Sequence, residues 1–286
     1  MDWGKAKNYI IIFLVFLNIV LFFCNLWFNK RYVIKDEQIN AVKTILDSKN
    51  INTELCSDIP LEYEPMVQLS IDKYFYDEIN IRRMFFGDES DVKRTSDFDK
   101  TILSYDDKTI SIIKDTVEYE DLSFTPADGL NEESILSVCG EIMDSISEYF
   151  DGFEFYSVNS DAECYCVEYI QKYKGTFVFN NYVTFKFYND GKLYIKLKYF
   201  PVKSLYGEKV DICSADEAFY IFSQNIKKVC DVGEINVLKI EKGWYFDDSE
   251  KEGNIISMPY YRIKIKEREE PFFINAYNRT FTEPSL

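Results

Sequence analysis

One stretch limits this chain more than any other. From Tyr9 to Phe28 there are twenty residues without a charge, "YIIIFLVFLNIVLFFCNLWF". As a helix rising about 1.5 Å per residue, the run spans roughly 30 Å, the thickness of a bilayer's hydrocarbon core. A secretory signal has a shorter apolar core, roughly 7–15 residues, and a small-residue cleavage site after it. Here the run ends in Asn25-Leu26-Trp27-Phe28-Asn29-Lys30, and Phe23 stands before Cys24 where a lipoprotein signal needs a small residue. The segment is therefore read as a retained transmembrane helix, residues 9–28, behind a short cytoplasmic tail, residues 1–8. Charge alone does not orient it, because Lys5 and Lys7 precede the span while Lys30, Arg31 and Lys35 follow it. The orientation adopted places the large trailing part outside the cytoplasm, as is common for an anchor with a very short leader. Asn18 and Asn25 interrupt the run seven residues apart and so share one helix face. A carboxamide facing lipid is unfavourable until it finds a partner, so both are candidate helix–helix contacts in the membrane.

Composition narrows what the rest can do. The 286 residues carry a net charge of −16, which disfavours nucleic acid and anionic headgroups as partners. There is no histidine, which removes the usual general base and the usual nitrogen ligand for zinc. No phosphate loop, nucleophile elbow or dinucleotide fingerprint occurs, and neither an enzyme activity nor a cofactor is expected. Acidic clusters at Glu118–Asp121 and Asp247–Glu250 are read as solvated loop charges. Cys56, Cys139, Cys164, Cys166, Cys213 and Cys230 lie outside the span and read as small apolar thiols. The even count leaves disulfides open, although Cys164 and Cys166 should share a strand face and not bond to each other.

The fold class expected is α+β. The anchor is followed by helices laid on antiparallel sheets, a two-layer plan used twice. Helical spacing predicts helices over 37–49, 77–87, from Asn131, and from Ser214 with a capping box to Glu217. Alternation predicts strands through "MVQLSIDKYF", a hairpin about Asp106-Asp107, and four strands from "FEFYSVN" to "KLYIKLKYF" with an Asn189-Asp190-Gly191 turn. Three more follow in "INVLKIEKGWYF", "PYYRIKIK" and "PFFINAYNRTF". "DESDVKRTSD" and "VKSLYGEKVDIC" read as a polar loop and a connector. Two extracytoplasmic domains are expected, 36–206 and 210–286. Lys186, Lys192, Lys196 and Lys198 form a lysine stripe on an acidic protein, most simply a solvated sheet face but also a possible face for an acidic partner.

The opening "MDWGKAKNYIIIFLVFLNIVLF", with Met-Asp-Trp, basic residues and then an apolar anchor, resembles the start of the YycI (WalI) family. So do "LDSKNINTELCSDIPLEYEPMVQLSIDKY", "KGTFVFNNYVTFKFYNDGKLYIKLKYFPV" and the "SADEAFYIF" helix, which together cover most of the chain. The resemblance implies a YycH/YycI-like extracytoplasmic α+β part. It also implies action as a regulatory accessory protein of a two-component sensor histidine kinase of the WalK (YycG) type, in cell-wall homeostasis. The implied partners are that kinase and a YycH-like sister regulator, met partly through the anchor helix. No catalytic residue is carried over. Separately, "PFFINAYNRTF" resembles the last strand of PepSY-type domains, which makes an anchored binding module or peptidase inhibitor the alternative.

Overall fold

A computed structural model describes residues 3–56, 58–89, 91–125, 130–230, 232–246 and 255–282. In chain order the elements are α1 (Trp3–Asn29), α2 (Asp36–Asp47), β1 (Ile51–Asn52), β2 (Met66–Ile71), α3 (Glu78–Phe86), β3 (Lys93–Asp97), β4 (Lys100–Tyr105), β5 (Lys108–Ile113) and β6 (Thr116–Asp121). Then follow α4 (Glu132–Ser147), β7 (Phe153–Ser160), β8 (Cys164–Tyr173), β9 (Thr176–Tyr188), β10 (Lys192–Lys198), β11 (Val202–Val210), α5 (Ala215–Val229), β12 (Ile235–Tyr245), β13 (Ile255–Ile265), β14 (Arg268–Asn275) and β15 (Phe281–Thr282). The fold is mixed α+β with mostly antiparallel strands and an apolar N-terminal helix.

Three segments differ from expectation. The "polar loop" contains β3, the "connector" is β11, and Glu118–Asp121 lies in β6. In β6 Val117 and Tyr119 alternate inward beside the acids, whereas β3 and β11 have no buried apolar face. Every residue of β3 and all but one of β11 are exposed, so apolar periodicity could not mark them. The second acidic cluster, Asp247–Glu250, lies outside the described residues.

The chain divides into two compact units that interleave in sequence. Unit 1 holds residues 1–66, 209–241 and 261–286, and unit 2 holds 67–208 and 242–260. One division, between 208 and 209, falls within the expected 206–210, whereas 36–66 group with the C-terminal part and 242–260 with unit 2. Both 1–66 and the C-terminal stretch supply one core, because β1 pairs in parallel with β12 through Ile51↔Ile235.

In unit 1, α2 and α5 pack over the strands. Ile39, Val42 and Leu46 of α2 meet Ala218, Phe219, Phe222 and Ile226 of α5 in a core closed by Val237, Ile263, Phe272 and Ile274. Burying each large side chain of this kind stabilises by about 1.5–3 kcal/mol. Ser214 does precede α5, but its side chain makes no capping hydrogen bond. Glu217 is instead drawn to Arg279, with an N–O separation of 3.1 Å.

In unit 2 the antiparallel order is β7-β8-β9-β10-β6-β5-β4-β3. Helices α3 and α4 cover one face of this sheet. Asn131 caps α4 by accepting from the Ser134 amide at 3.0 Å. The buried stripe of α4 is Ile135, Cys139, Met143 and Ile146, with Val138, Ile142 and Tyr149 at its margin. Facing them are Val183, Phe185 and Phe187 of β9, Leu193, Ile195 and Leu197 of β10, and Val117 and Tyr119 of β6. Among the described residues no disulfide joins the cysteines.

Candidate interaction surfaces

The first surface is α1. Its window Lys7–Cys24 has mean hydropathy 2.2, and none of it is buried. A helix of this length and composition, covered by none of the described residues, is compatible with a signal anchor or a signal sequence. The Asn18 side chain donates to the Leu14 carbonyl at 3.0 Å. That bond holds the carboxamide against the helix surface and leaves its oxygen and second N–H turned outward. The helix extends through Asn25, but that side chain lies outside the described residues.

The exit from α1 is tied into unit 1 by a clamp that the sequence did not reveal. The Ile34 amide donates to the Leu61 carbonyl at 2.9 Å, and the Tyr63 amide to the Tyr32 carbonyl at 3.0 Å. Tyr63 Oη reaches the Arg31 carbonyl at 3.1 Å, and Tyr32 Oη donates to Asp211 at 3.0 Å. The two rings meet edge to face with centroids 5.8 Å apart. The bond to Asp211 raises the Tyr32 phenol above its ordinary pKa, since it stabilises the protonated form. The partners are separated by 32 and 179 residues, beyond the reach of local pattern.

The second surface is the outer face of the unit 2 sheet, where the lysine stripe falls. Strand β6 lies beside β10 in the register Tyr194↔Glu120, Lys196↔Glu118 and Lys198↔Thr116. Lys192 is ion-paired with Glu120, which raises its pKa. Lys198 is buried and lies 3.4 Å from Asp115. Tyr194 is pushed above the ordinary phenol range by burial first and then by its hydrogen bond to Glu118. Lys186 stands opposite Tyr194 and is half-buried. Two lysines of the expected partner face, Lys192 and Lys198, are thus paired within unit 2. Glu120 comes from a strand that the sequence reading took for a loop, and Asp115 from the turn before it.

A third surface is a groove of about 530 Å³ between α2 and α5 in unit 1, lined on the α2 side by Ala41, Val42 and Ile45 and on the α5 side by Tyr220 and Ile221.

These features define a class: a mixed α+β protein carrying one apolar N-terminal helix. No family model matches the chain, and no curated protein matches it. Among solved structures it is similar to an uncharacterized protein from Eubacterium rectale ATCC 33656, with TM-score 0.49 and 11% identity over 82% of this chain and 89% of that chain. It is also similar to the YpeB C-terminal domain of Bacillus megaterium, with TM-score 0.36 and 10% identity over 74% of this chain and 97% of that chain.

Proposed function

We propose that the chain is a membrane-anchored, extracytoplasmic regulator of an essential cell-wall two-component sensor histidine kinase, of the YycI (WalI) type. It acts by protein contact and not by catalysis. The observation that carries the reading is the uncovered apolar helix Lys7–Cys24 joined to unit 1 through the Tyr32–Tyr63 clamp. Such a helix finds partners in lipid through packing and polar side chains, and Asn18 is the carboxamide that interrupts the middle of its apolar run. The clamp gives a bound helix a stiff connection to the outer part. A regulator of this kind shifts its target by its differential affinity for two states, typically about 1–3 kcal/mol. A YycH-like sister regulator is the second partner in this reading.

The test is co-purification of the full chain with the membrane sensor kinase, with Asn18→Leu and Asn25→Leu alongside. Kinase recovery should fall several-fold with Asn18→Leu and survive removal of the outer part. Recovery that is untouched by both substitutions, or that depends only on the outer part, would refute the membrane contact.

A second reading is a PepSY-like anchored binding module or peptidase inhibitor. It is favoured by the order of α5, β12, β13 and β14, a helix followed by three strands with "PFFIN" in the last. Inhibition of an envelope protease by the purified chain would support it, and unchanged proteolysis would remove it.

A further inference from the structure

The uncovered helix α1 carries a pattern finer than its apolarity. Counted in sevens, Ile11, Asn18 and Asn25 share one position, and Leu14 and Leu21 share the position three residues on. A helix with this alternating spacing of three and four presents a single seam to a neighbour. Such seams pack in membranes much as in water, crossing at about 20°. In parallel two-stranded pairs the second position favours leucine, and an asparagine at the first sets the register and the number of helices. Ile11, Leu14, Asn18 and Leu21 are all exposed, and none of the described residues covers them.

The Asn18 carboxamide defines what the seam lacks. Its Nδ2 donates to the Leu14 carbonyl at 3.0 Å, along the row that joins these two seam positions. One N–H and the side-chain oxygen remain to be matched. Lipid tails offer neither a donor nor an acceptor, so the favoured occupant supplies both at this depth.

A second copy of the chain does so without adjustment. A carboxamide is its own complement, because the N–H of each can donate to the oxygen of the other. Copies inserted in the same direction carry Asn18 at the same level, and a two-fold axis between them makes both bonds at once. Ile11, Leu14 and Leu21 then meet their own counterparts along the seam. An unrelated helix would have to place a donor and an acceptor at that one level. The charge of the chain opposes pairing elsewhere, since each copy has a net −16. We infer that α1 pairs with α1 of a second copy as a parallel two-stranded seam through Ile11, Leu14, Asn18 and Leu21, held by reciprocal Asn18 hydrogen bonds. This inference rests on the reading of α1 as a retained span. It goes beyond the proposed kinase contact, with which the pair competes for Asn18.

The experiment uses the full chain in the membranes of the cells that produce it. A Cys24→Ala chain, whose span holds no thiol, sets the baseline from the cysteines outside the span. In that chain single cysteines are placed on the seam by Leu14→Cys or Leu21→Cys, and on the opposite face by Phe16→Cys or Phe23→Cys. A disulfide forms only where Cα atoms come within about 7 Å, which facing seam positions do and outward positions do not. A mild oxidant should therefore link the seam variants into covalent pairs of identical chains, recognised by intact mass, at least about fivefold more than the opposite face. In the Leu21→Cys chain, Asn18→Leu should lower the yield about fivefold, and Asn18→Gln, which keeps the carboxamide, should restore most of it. Yields are normalised to the chain recovered in the membrane fraction, which identifies any variant that fails to insert, and the Leu14→Cys chain serves if the Leu21→Cys chain does. Equal yields around the helix, a yield unchanged by Asn18→Leu, or a linked product that contains a different protein would overturn the inference. Kinase recovery that depends on Asn18 while the seam cysteines stay unlinked would remove the pair and leave the regulator. Linked seam cysteines without Asn18-dependent recovery would do the reverse.

Discussion

The two units manage their polar and apolar surface in opposite ways. Unit 2 closes its accounts internally. On its outer sheet face Glu120 and Asp115 pair with Lys192 and Lys198, and in its interior Asn181 is fully buried with its amide nitrogen and oxygen both bonded. The Asn181 amide nitrogen donates to Gln171 at 2.6 Å and to the Phe200 carbonyl at 2.8 Å, and its oxygen accepts from the Phe200 amide at 2.8 Å. Neighbouring Asn180 holds both backbone groups of Phe246 in the same manner, at 3.0 Å each. Unit 1 buries a core of similar character, yet it leaves apolar surface unanswered along α1 and in the α2–α5 trough. A face whose charges are already paired has little to offer a partner. An uncovered apolar surface gains by meeting one.

Substitutions can break that comparison, beginning with the largest effect. Asn181→Ala strands the backbone groups of Phe200 and should cost about 3 kcal/mol. Denaturation of the detergent-purified chain, followed by circular dichroism, would measure it. A loss below about 1 kcal/mol would mean that unit 2 does not depend on its internal polar bonds. Gly243→Ala comes next. A Cβ there would lie 2.7 Å from the Phe177 carbonyl oxygen and from the Phe179 ring, so backbone must shift at a cost of about 1–3 kcal/mol.

Acid provides a milder test within unit 1. Burial works to raise the Glu267 carboxyl pKa, but hydrogen bonds from the Asn236 side chain and backbone outweigh it and hold the carboxyl below its ordinary 4.5. A depressed folded pKa gives stability that is present above 4.5 and lost as pH falls through the folded value. Glu267→Gln should therefore lower the thermal midpoint at neutral pH and flatten its decline below 4.5. A variant whose acid profile matched the parent's would show that Glu267 is not among the groups responsible. Smaller still, Lys192→Gln should cost under about 1 kcal/mol and do so only at low salt, because both partners in its pair with Glu120 are partly exposed. The least effect on stability belongs to Ile45→Lys in the trough, within about 0.5 kcal/mol, since the site is exposed. A large loss there would mean that α2 has no apolar surface to spare.

Apolar periodicity carried most of the fold. The helices over α2, α3, α4 and α5 and the long strands β8, β9 and β10 all lie where spacing put them. The misses have one cause. Strands β3 and β11 present exposed residues, and only their neighbours make them strands, while in β6 the acids between Val117 and Tyr119 masked a short alternation. Missing β6 hid Glu120, the carboxylate that pairs with Lys192. The interleaved units could not be read either, because nothing local links Ile51 to Ile235. Of the interaction surfaces, α1 and Asn18 were visible as an uncharged run and its polar interruption. The Tyr32–Tyr63 clamp and the α2–α5 trough exist only after distant segments meet.

The claim beneath all of this is that α1 stays attached and stays in the membrane. Intact-mass measurement of the chain recovered from fractionated cells tests it directly. The account expects the membrane fraction to hold a chain that still includes residues 3–29. A soluble chain beginning beyond Asn29 would contradict it.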